Sequence, residues 1–179
     1  MRIISGKYRG MVLSEFRGGD IRPTADRVKE SLFNILATEI AGARVLDLFC
    51  GSGNLGMESL SRGASFVHFN DFSKDSIAVL NKNLARVKER TFTVTNLDYS
   101  LCLSKTGAFD IIFIDPPYAA EYGKDALEII SAGNKLTDGG IAVYERDRSF
   151  KGEIEGLELY DERKYGKTYL SFFAKRGKL

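Results

Sequence analysis

The chain has 179 residues, of which 44% are hydrophobic and 28% charged, and its net charge at pH 7 is +2. These values fit one soluble globular domain with a sizeable core. They exclude a membrane-spanning protein, because no apolar run approaches the roughly 20 residues that a membrane helix requires. The N-terminus lacks the apolar core of a secretory signal, and the two cysteines form neither a disulfide framework nor a metal-ligand spacing. We therefore expect a cytoplasmic protein with no bound metal.

Strand and helix patterns alternate along most of the chain. Residues 1–13 read as two short strands around Gly6, a loop runs to Pro23, and an amphipathic helix begins at Thr24. The further predicted elements are strands at 44–49, 66–71, 91–95, 109–115, 141–145, 156–162 and 168–175, and helices from 54 to 62, from 74 to 87 and over 122–133. This alternation predicts an α/β domain (24–179) with a mostly parallel sheet covered on both faces, preceded by a basic extension (1–23).

The polar residues that could bind a ligand or take part in a reaction lie at or just after predicted strand ends. They are Asp47 to Gly53, Asp71, Asp98, and Asp115 to Tyr118. Ligands of parallel sheets bind beyond the carboxyl ends of the strands, so these positions are expected to meet at one edge.

The loop after the first sheet strand is rich in glycine. Residues 51–56 fit G-x-G-x-x-G, and Asp71 lies twenty residues past Gly51, which is also the pattern of a dinucleotide site. Asp47 argues against a dinucleotide, because its carboxylate would repel a pyrophosphate. The same carboxylate suits the sulfonium and ammonium groups of S-adenosylmethionine. A nicotinamide-dependent oxidoreductase is thus the weaker alternative.

The predicted contacts to S-adenosylmethionine follow from this loop and from the next two strand ends. Asp71 would accept the ribose hydroxyls, and Asp98 would accept the adenine amino group or else cap a local turn. Tyr99 would border the adenine or pack internally. The full predicted set is Asp47, Phe49, Gly51, Ser52, Gly53, Asp71, Asp98 and Tyr99.

Asp115-Pro116-Pro117-Tyr118 follows the most apolar strand and predicts methylation of an amino nitrogen. The two prolines stiffen the loop and leave the Pro116 carbonyl as an acceptor beside the Asp115 carboxylate. Two acceptors match the two N–H groups of a base amine and can aim its lone pair at a methyl carbon. Tyr118 offers a ring on which an extruded base can stack.

The chain resembles the bacterial small-subunit (16S) ribosomal RNA guanine-N2 methyltransferases. The resemblance rests on residues 2–10, 21–34 and 46–64 and on the Asp-Pro-Pro-Tyr motif, and the first two stretches are the family-specific part. It implies a seven-stranded, Rossmann-like class I methyltransferase fold and a guanine in small-subunit RNA as substrate. We also expect a monomer. By analogy, the phosphate contacts would be Arg2, Lys7, Arg9, Arg22 and Arg27.

The sequence departs from the family pattern at a few positions. Cys50 and Ala25 stand where the family often has Ala or Thr, and Ser73 stands where it often has Asp, so only Asp71 is carried over as the ribose acid. Two other functions stay open: methylation of an adenine amine in DNA or RNA, and a cofactor-binding RNA or ribosome assembly factor without catalysis.

Overall fold

The computed structural model describes residues 1–15, 23–117 and 122–177, with side chains from residue 26 onward in the second range. Tyr118 and Arg22 therefore lie outside the described residues. The elements in chain order are α1 (Pro23–Ile35), β1 (Arg44–Asp47), α2 (Asn54–Ser61), β2 (Phe66–Asn70), α3 (Lys74–Leu84), β3 (Phe92–Thr95), α4 (Tyr99–Lys105), β4 (Phe109–Ile114), α5 (Tyr122–Ala132), β5 (Leu136–Arg146), β6 (Leu157–Tyr165) and β7 (Thr168–Lys175).

The strands form one seven-stranded sheet in the order β3-β2-β1-β4-β5-β7-β6. Strands β1 to β5 pair in parallel, whereas β7 is antiparallel to both β5 and β6. The predicted α/β architecture is thus confirmed. The order places β1 and β4 at the centre, so the loops that follow them open at the middle of the carboxyl edge.

Alternating side chains of the central strands build a separate core on each face of the sheet. Val45, Phe113 and Val143 belong to the cluster covered by the N-terminal segment, α1, α2 and α3. Leu46, Ile112, Ile114 and Tyr144 belong to the cluster beneath α4 and α5. Burial on both faces explains why these strands read as continuous apolar runs.

Four details differ from the sequence expectations. Helix α4 was not predicted, because its seven residues bury only Cys102 and Leu103 and show no helical period. Strand β5 begins five residues before the expected start, through a register irregularity opposite β4. The N-terminal pair of strands reduces to one isolated bridge between Arg2 and Val12. Ile35 is 38% exposed and is not part of the buried stripe of α1.

No helix among the described ranges is long and apolar enough to cross a membrane.

The N-terminal segment is attached to α2 through a buried carboxylate. Glu58 accepts hydrogen bonds from the backbone N–H of Ile4 (2.7 Å) and Ser5 (3.0 Å) and from Arg62 Nε (2.8 Å). The Lys29 ammonium lies 3.5 Å from the same carboxylate, and both side chains are almost fully buried. Helix α2 follows the glycine loop directly, so the segment is fixed to an element of the predicted site.

We expect Glu58→Gln to lower the free energy of unfolding by about 3–5 kcal/mol, because the buried Lys29 ammonium would lose its counter-charge. Urea denaturation monitored by circular dichroism measures this change. Glu128→Gln is the matched control, since Glu128 pairs with Lys124 on an exposed helix face at 3.6 Å and its loss should cost less than about 1 kcal/mol. Equal losses in both variants would contradict the structural role of Glu58.

Candidate active site

The loop after β1 is held by backbone hydrogen bonds to both neighbouring strands. Leu48 N–H donates to the Phe113 carbonyl (3.1 Å) and Cys50 N–H to the Asn70 carbonyl (2.9 Å). Gly51 has φ 53°, and a Cβ placed there would meet nothing within 4 Å, so its backbone is open to a ligand. Gly53 has φ 87° and its missing Cβ would lie 2.4 Å from Leu80. The first glycine therefore faces the site, and the second allows close packing on α3.

Asp47 ends β1 and is buried. Its Oδ2 accepts from the Gly56 N–H at 2.8 Å, so it satisfies one of the free amides in the first turn of α2. The N-cap residue Gly53 has no side chain for this task. Burial raises the pKa of Asp47 to about 7; the hydrogen bond from Gly56 opposes the rise, and the charges of Asp115 and Asp71 add to it. A cation beside Asp47 would offset this cost of burial.

Asp71 follows β2 and is anchored at both oxygens. Its Oδ2 accepts from Gly51 N–H and its Oδ1 from Ser73 N–H, each at 2.8 Å. Every carboxylate oxygen has two acceptor positions, so each retains one for a ligand hydroxyl. Gly51 and Asp71, which are 20 residues apart in the sequence, are therefore in direct contact in the structure.

Asp98 has the capping role that the sequence left open. Its Oδ1 accepts from Ser100 N–H (2.9 Å) and Ser100 Oγ (2.6 Å) at the start of α4. Tyr99 follows it and lies in a row of rings, with centroids 5.6 Å from Phe49 and 5.5 Å from Tyr122. This row gives the neighbouring cavity an aromatic wall.

Two large cavities open at the carboxyl edge of the sheet, and they share Phe49, Gly51 and Asp115. We call the first, of about 700 Å³, the ribose-side cavity. Its lining includes Asn70, Asp71, Phe72, Ser73, Asp98, Tyr99, Pro116, Pro117 and Tyr122. We call the second, of about 590 Å³, the β5-side cavity. Its lining includes Val28, Lys29, Asp47, Ser52, Glu145, Lys167 and Thr168.

Asp115 lies where the two cavities meet, one residue past β4. Burial raises the pKa of its carboxyl to about 6. Pro116 is buried and Pro117 is exposed beside it. A carboxyl with this pKa is mostly ionised at neutral pH, yet it takes up a proton more readily than an exposed aspartate.

Sequence reasoning missed two contributors to the site, Asn70 and Glu145. Asn70 ends β2 with a buried carboxamide that donates to the carbonyls of Leu48 (3.2 Å) and Leu97 (3.1 Å). A polar residue at the end of an apolar strand, directly before Asp71, was a signal for it. Glu145 is the last residue but one of β5, is half-buried, and lines the β5-side cavity.

Three of the predicted RNA-contacting residues share one part of the surface, which Asp26 and Glu30 also line. Arg2, Arg9 and Arg27 line a shallow depression of about 470 Å³. Lys7 is exposed outside the lining of this depression and forms an ion pair with Glu89.

The sheet order, the antiparallel β7 and the glycine loop at the carboxyl edge define a class I methyltransferase fold. Solved structures agree. The Escherichia coli protein yhhF superposes with a TM-score of 0.88 and 31% identity, covering 98% of this chain and 97% of that one. A Haemophilus influenzae protein gives a TM-score of 0.78 and 33% identity, covering 96% of each chain.

The chain belongs to the family described as Conserved hypothetical protein 95, which it matches over residues 1–174. The Bacillus subtilis protein YlbH is 35% identical over 99% of this chain and 100% of its own length. Ribosomal RNA small subunit methyltransferase D of Haemophilus influenzae is also 35% identical, over 83% of this chain and 79% of its own length. The resemblance drawn from the N-terminal stretches and the loop motifs is thereby confirmed.

We expect Asp47 to make the protein less stable as pH rises. The folded-state pKa of about 7 exceeds the ordinary value of 3.8, so the folded state binds the extra proton between these values. The free energy of unfolding should therefore fall from about pH 4 to pH 7 and then level off. Asp47→Asn should remove about 2–4 kcal/mol of this fall, measured by urea denaturation at pH 5 and pH 8.

Asp75→Asn serves as the control, because Asp75 is exposed in the first turn of α3 and should leave the pH dependence unchanged. If Asp47→Asn and wild type lose stability in parallel between pH 5 and pH 8, Asp47 ionises normally in the folded protein.

Proposed function

We propose that this protein transfers a methyl group from S-adenosylmethionine to the exocyclic N2 amine of a guanine in small-subunit ribosomal RNA. The observation that carries the proposal is Asp115, followed by a Pro-Pro loop, at the meeting point of two cavities. The ribose-side cavity has the features of a nucleoside site. The β5-side cavity would hold the base, and Asp47 at its inner end would face the cationic part of the cofactor. The named ribosomal RNA methyltransferases among the relatives support the substrate class.

The residues present fit S-adenosylmethionine. Gly51 leaves space for a ligand against the backbone, and Asp71 retains an acceptor position on each oxygen for ribose hydroxyls. Asp98, Tyr99 and Phe49 form the wall that would contact adenine. When bound, the cofactor supplies an electrophilic methyl group on a cationic sulfur. The buried Asp47 carboxylate favours such a cation and disfavours the pyrophosphate of a nicotinamide cofactor.

The chain's own groups would orient the amine. The Asp115 carboxylate and the Pro116 carbonyl accept its two N–H groups, which weakens the conjugation of the nitrogen lone pair with the ring and aims that lone pair at the methyl carbon. After transfer the nitrogen carries a surplus proton, and Asp115, with its raised pKa, can accept it or pass it to water. Stacking of the extruded base on Tyr118 remains a prediction, as that residue lies outside the described ranges.

The N-terminal extension is proposed to bind RNA phosphates. Arg2, Arg9 and Arg27 share one depression, and the segment that carries the first two is fixed to α2 through Glu58. The same surface would extend the contact beyond the extruded base. A base in an RNA loop costs less to extrude than one in a duplex, which favours a loop as the target. We propose a cytoplasmic monomer acting on the small subunit or its RNA.

We expect labelled methyl groups to transfer to small ribosomal subunits or to naked small-subunit RNA, and not to DNA. Nucleoside digestion and mass spectrometry should identify N2-methylguanosine. Asp115→Ala should lower the transfer rate at least about 100-fold, because the amine would lose its charged acceptor. Asp138→Ala is the control, because Asp138 lies at the opposite edge of the sheet beside Gly42 and Asp110.

Cofactor binding separates a catalytic defect from misfolding in the same variants. S-adenosylhomocysteine should raise the melting temperature of wild type and of Asp115→Ala, whereas NAD should raise neither. Label found in DNA alone, or an adenine product, would overturn the guanine assignment. Unchanged transfer by Asp115→Ala would favour the different class of a cofactor-binding assembly factor.

Replacing Arg9 and Arg27 with alanine should weaken RNA binding and flatten its salt dependence. Each lost phosphate contact is expected to reduce the slope of log K against log salt concentration by about 0.7–0.9. Filter binding at several salt concentrations measures both effects. Lys105→Ala is the control, because Lys105 ends α4 and thus lies toward the amino edge of the sheet. A slope that stays at the wild-type value would place the RNA on another surface.

A further inference from the structure

Glu145 occupies the position on β5 that corresponds to Asp115 on β4. The two strands are parallel neighbours, and Ile114 pairs with Tyr144, so Asp115 and Glu145 are the next residues along each strand. Backbones of paired strands lie about 4.8 Å apart. Both residues line the β5-side cavity, and Glu145 is half-buried there. Its carboxylate is therefore beside the acceptors that would hold a base amine.

Strand alternation places Glu145 on the same face as the cavity. Val143 belongs to the cluster under α1, and Tyr144 belongs to the opposite cluster beneath α5. Glu145 follows in the alternation on the α1 face, where Val28, Lys29 and Leu32 of that helix form the far wall of the cavity. The position of the carboxylate is thus set by the sheet, not by a loop.

The chemistry of base amines makes a carboxylate at this position selective. In guanine, the ring atom between the N2-bearing carbon and the C6 carbonyl is N1–H, a donor. In adenine and cytosine, the corresponding ring nitrogen beside the amine has a lone pair. An ionised carboxylate only accepts hydrogen bonds. It therefore binds the N1–H of guanine and repels the ring nitrogen of the other two bases.

Donors for the remaining polar edge of guanine come from the turn between β6 and β7. Lys167 and Thr168 line the same cavity, so an ammonium and a hydroxyl donor are available to an O6 acceptor. With its amine at the same position, adenine presents C2–H where guanine has O6, and this group accepts no hydrogen bond from a donor. The cavity thus combines an acceptor beside the amine with donors beyond it.

We propose that Glu145 accepts a hydrogen bond from guanine N1–H and thereby selects guanine over other amino-bearing bases. This inference rests on the proposed function, because it assigns a role within the same site. It gives β5 a part in substrate recognition, in addition to its part in the core.

The test compares two RNA substrates that differ only at the target base, which mass spectrometry of the methylated RNA locates first. One carries guanine and the other 2-aminopurine, which keeps the C2 amine but has a lone pair at N1 and no O6. Wild type should prefer guanine in kcat/KM by at least about 100-fold. Glu145→Gln should reduce this preference at least about tenfold, because its amide can donate to a lone pair at N1.

Three further variants show what the change in preference means. Glu145→Asp keeps an acceptor-only group and should retain the preference even if its rate is lower. Asp115→Ala should slow both substrates by the same factor, because both present the same amine. Glu158→Gln, on the exposed side of β6, should behave as wild type.

The outcomes are distinguishable. An unchanged preference in a folded Glu145→Gln variant overturns the inference while leaving guanine methylation intact. A tenfold weaker affinity for S-adenosylhomocysteine in that variant, measured by calorimetry, also overturns it, because Glu145 would then hold the cofactor. If wild type methylates no guanine in any RNA, the proposed function itself fails.

Discussion

The site depends on the buried carboxamide of Asn70. It donates to the carbonyls of Leu48 and Leu97, and its Oδ1 accepts from Thr95 Oγ1 at 2.8 Å and from Leu97 N–H at 3.3 Å. One side chain at the end of β2 thus connects the chain segments that follow β1 and β3. Because a buried polar network is costly when only partly satisfied, these segments have one stable arrangement. Asp71 and Asp98, the acids on the ribose side, flank the network.

A second buried network joins the N-terminal extension to the same region. Asn83 on α3 accepts from Ser14 N–H (2.8 Å) and donates to the carbonyls of Ser14 (3.1 Å) and Ser52 (2.9 Å). Lys29 donates to the Arg2 carbonyl (2.6 Å) and to Asn54 Oδ1 (2.7 Å). Asn83 and Lys29 therefore bridge the extension to the glycine loop and to the first residue of α2. Phosphates held on its surface would be in a fixed relation to the base that reaches Asp115.

The periodicity of apolar residues and the spacing of motif residues were enough to predict the central strands and part of the site. Apolar runs located the central strands, and the Gly51–Asp71 spacing anticipated a contact that the structure shows as a hydrogen bond. The sequence did not predict α4, whose short length hides its period, nor the role of Asn70, whose partners come from two distant strand ends. Glu145 was missed for a related reason, since its relation to Asp115 exists only through the register of β4 and β5. Contacts between residues on neighbouring strands can be predicted only when the order of the strands in the sheet is known, and the local sequence pattern does not contain that order.

The electrostatics of Asp115 connect the two cavities. Its pKa is raised by burial, and a nearby cation favours the ionised form of a carboxyl, whereas a neutral neighbour does not. With a cation in the adjoining cavity, Asp115 would stay ionised and accept an amine N–H. Once that positive charge has moved to the methylated nitrogen, the same carboxyl has a cationic N–H beside it and a neutral group on the other side. A nitrogen that bears this charge is a strong acid, so it would give its proton to the carboxyl or to water. The placement of one carboxyl between two cavities thus suits it both to hold the amine before transfer and to receive the proton afterwards.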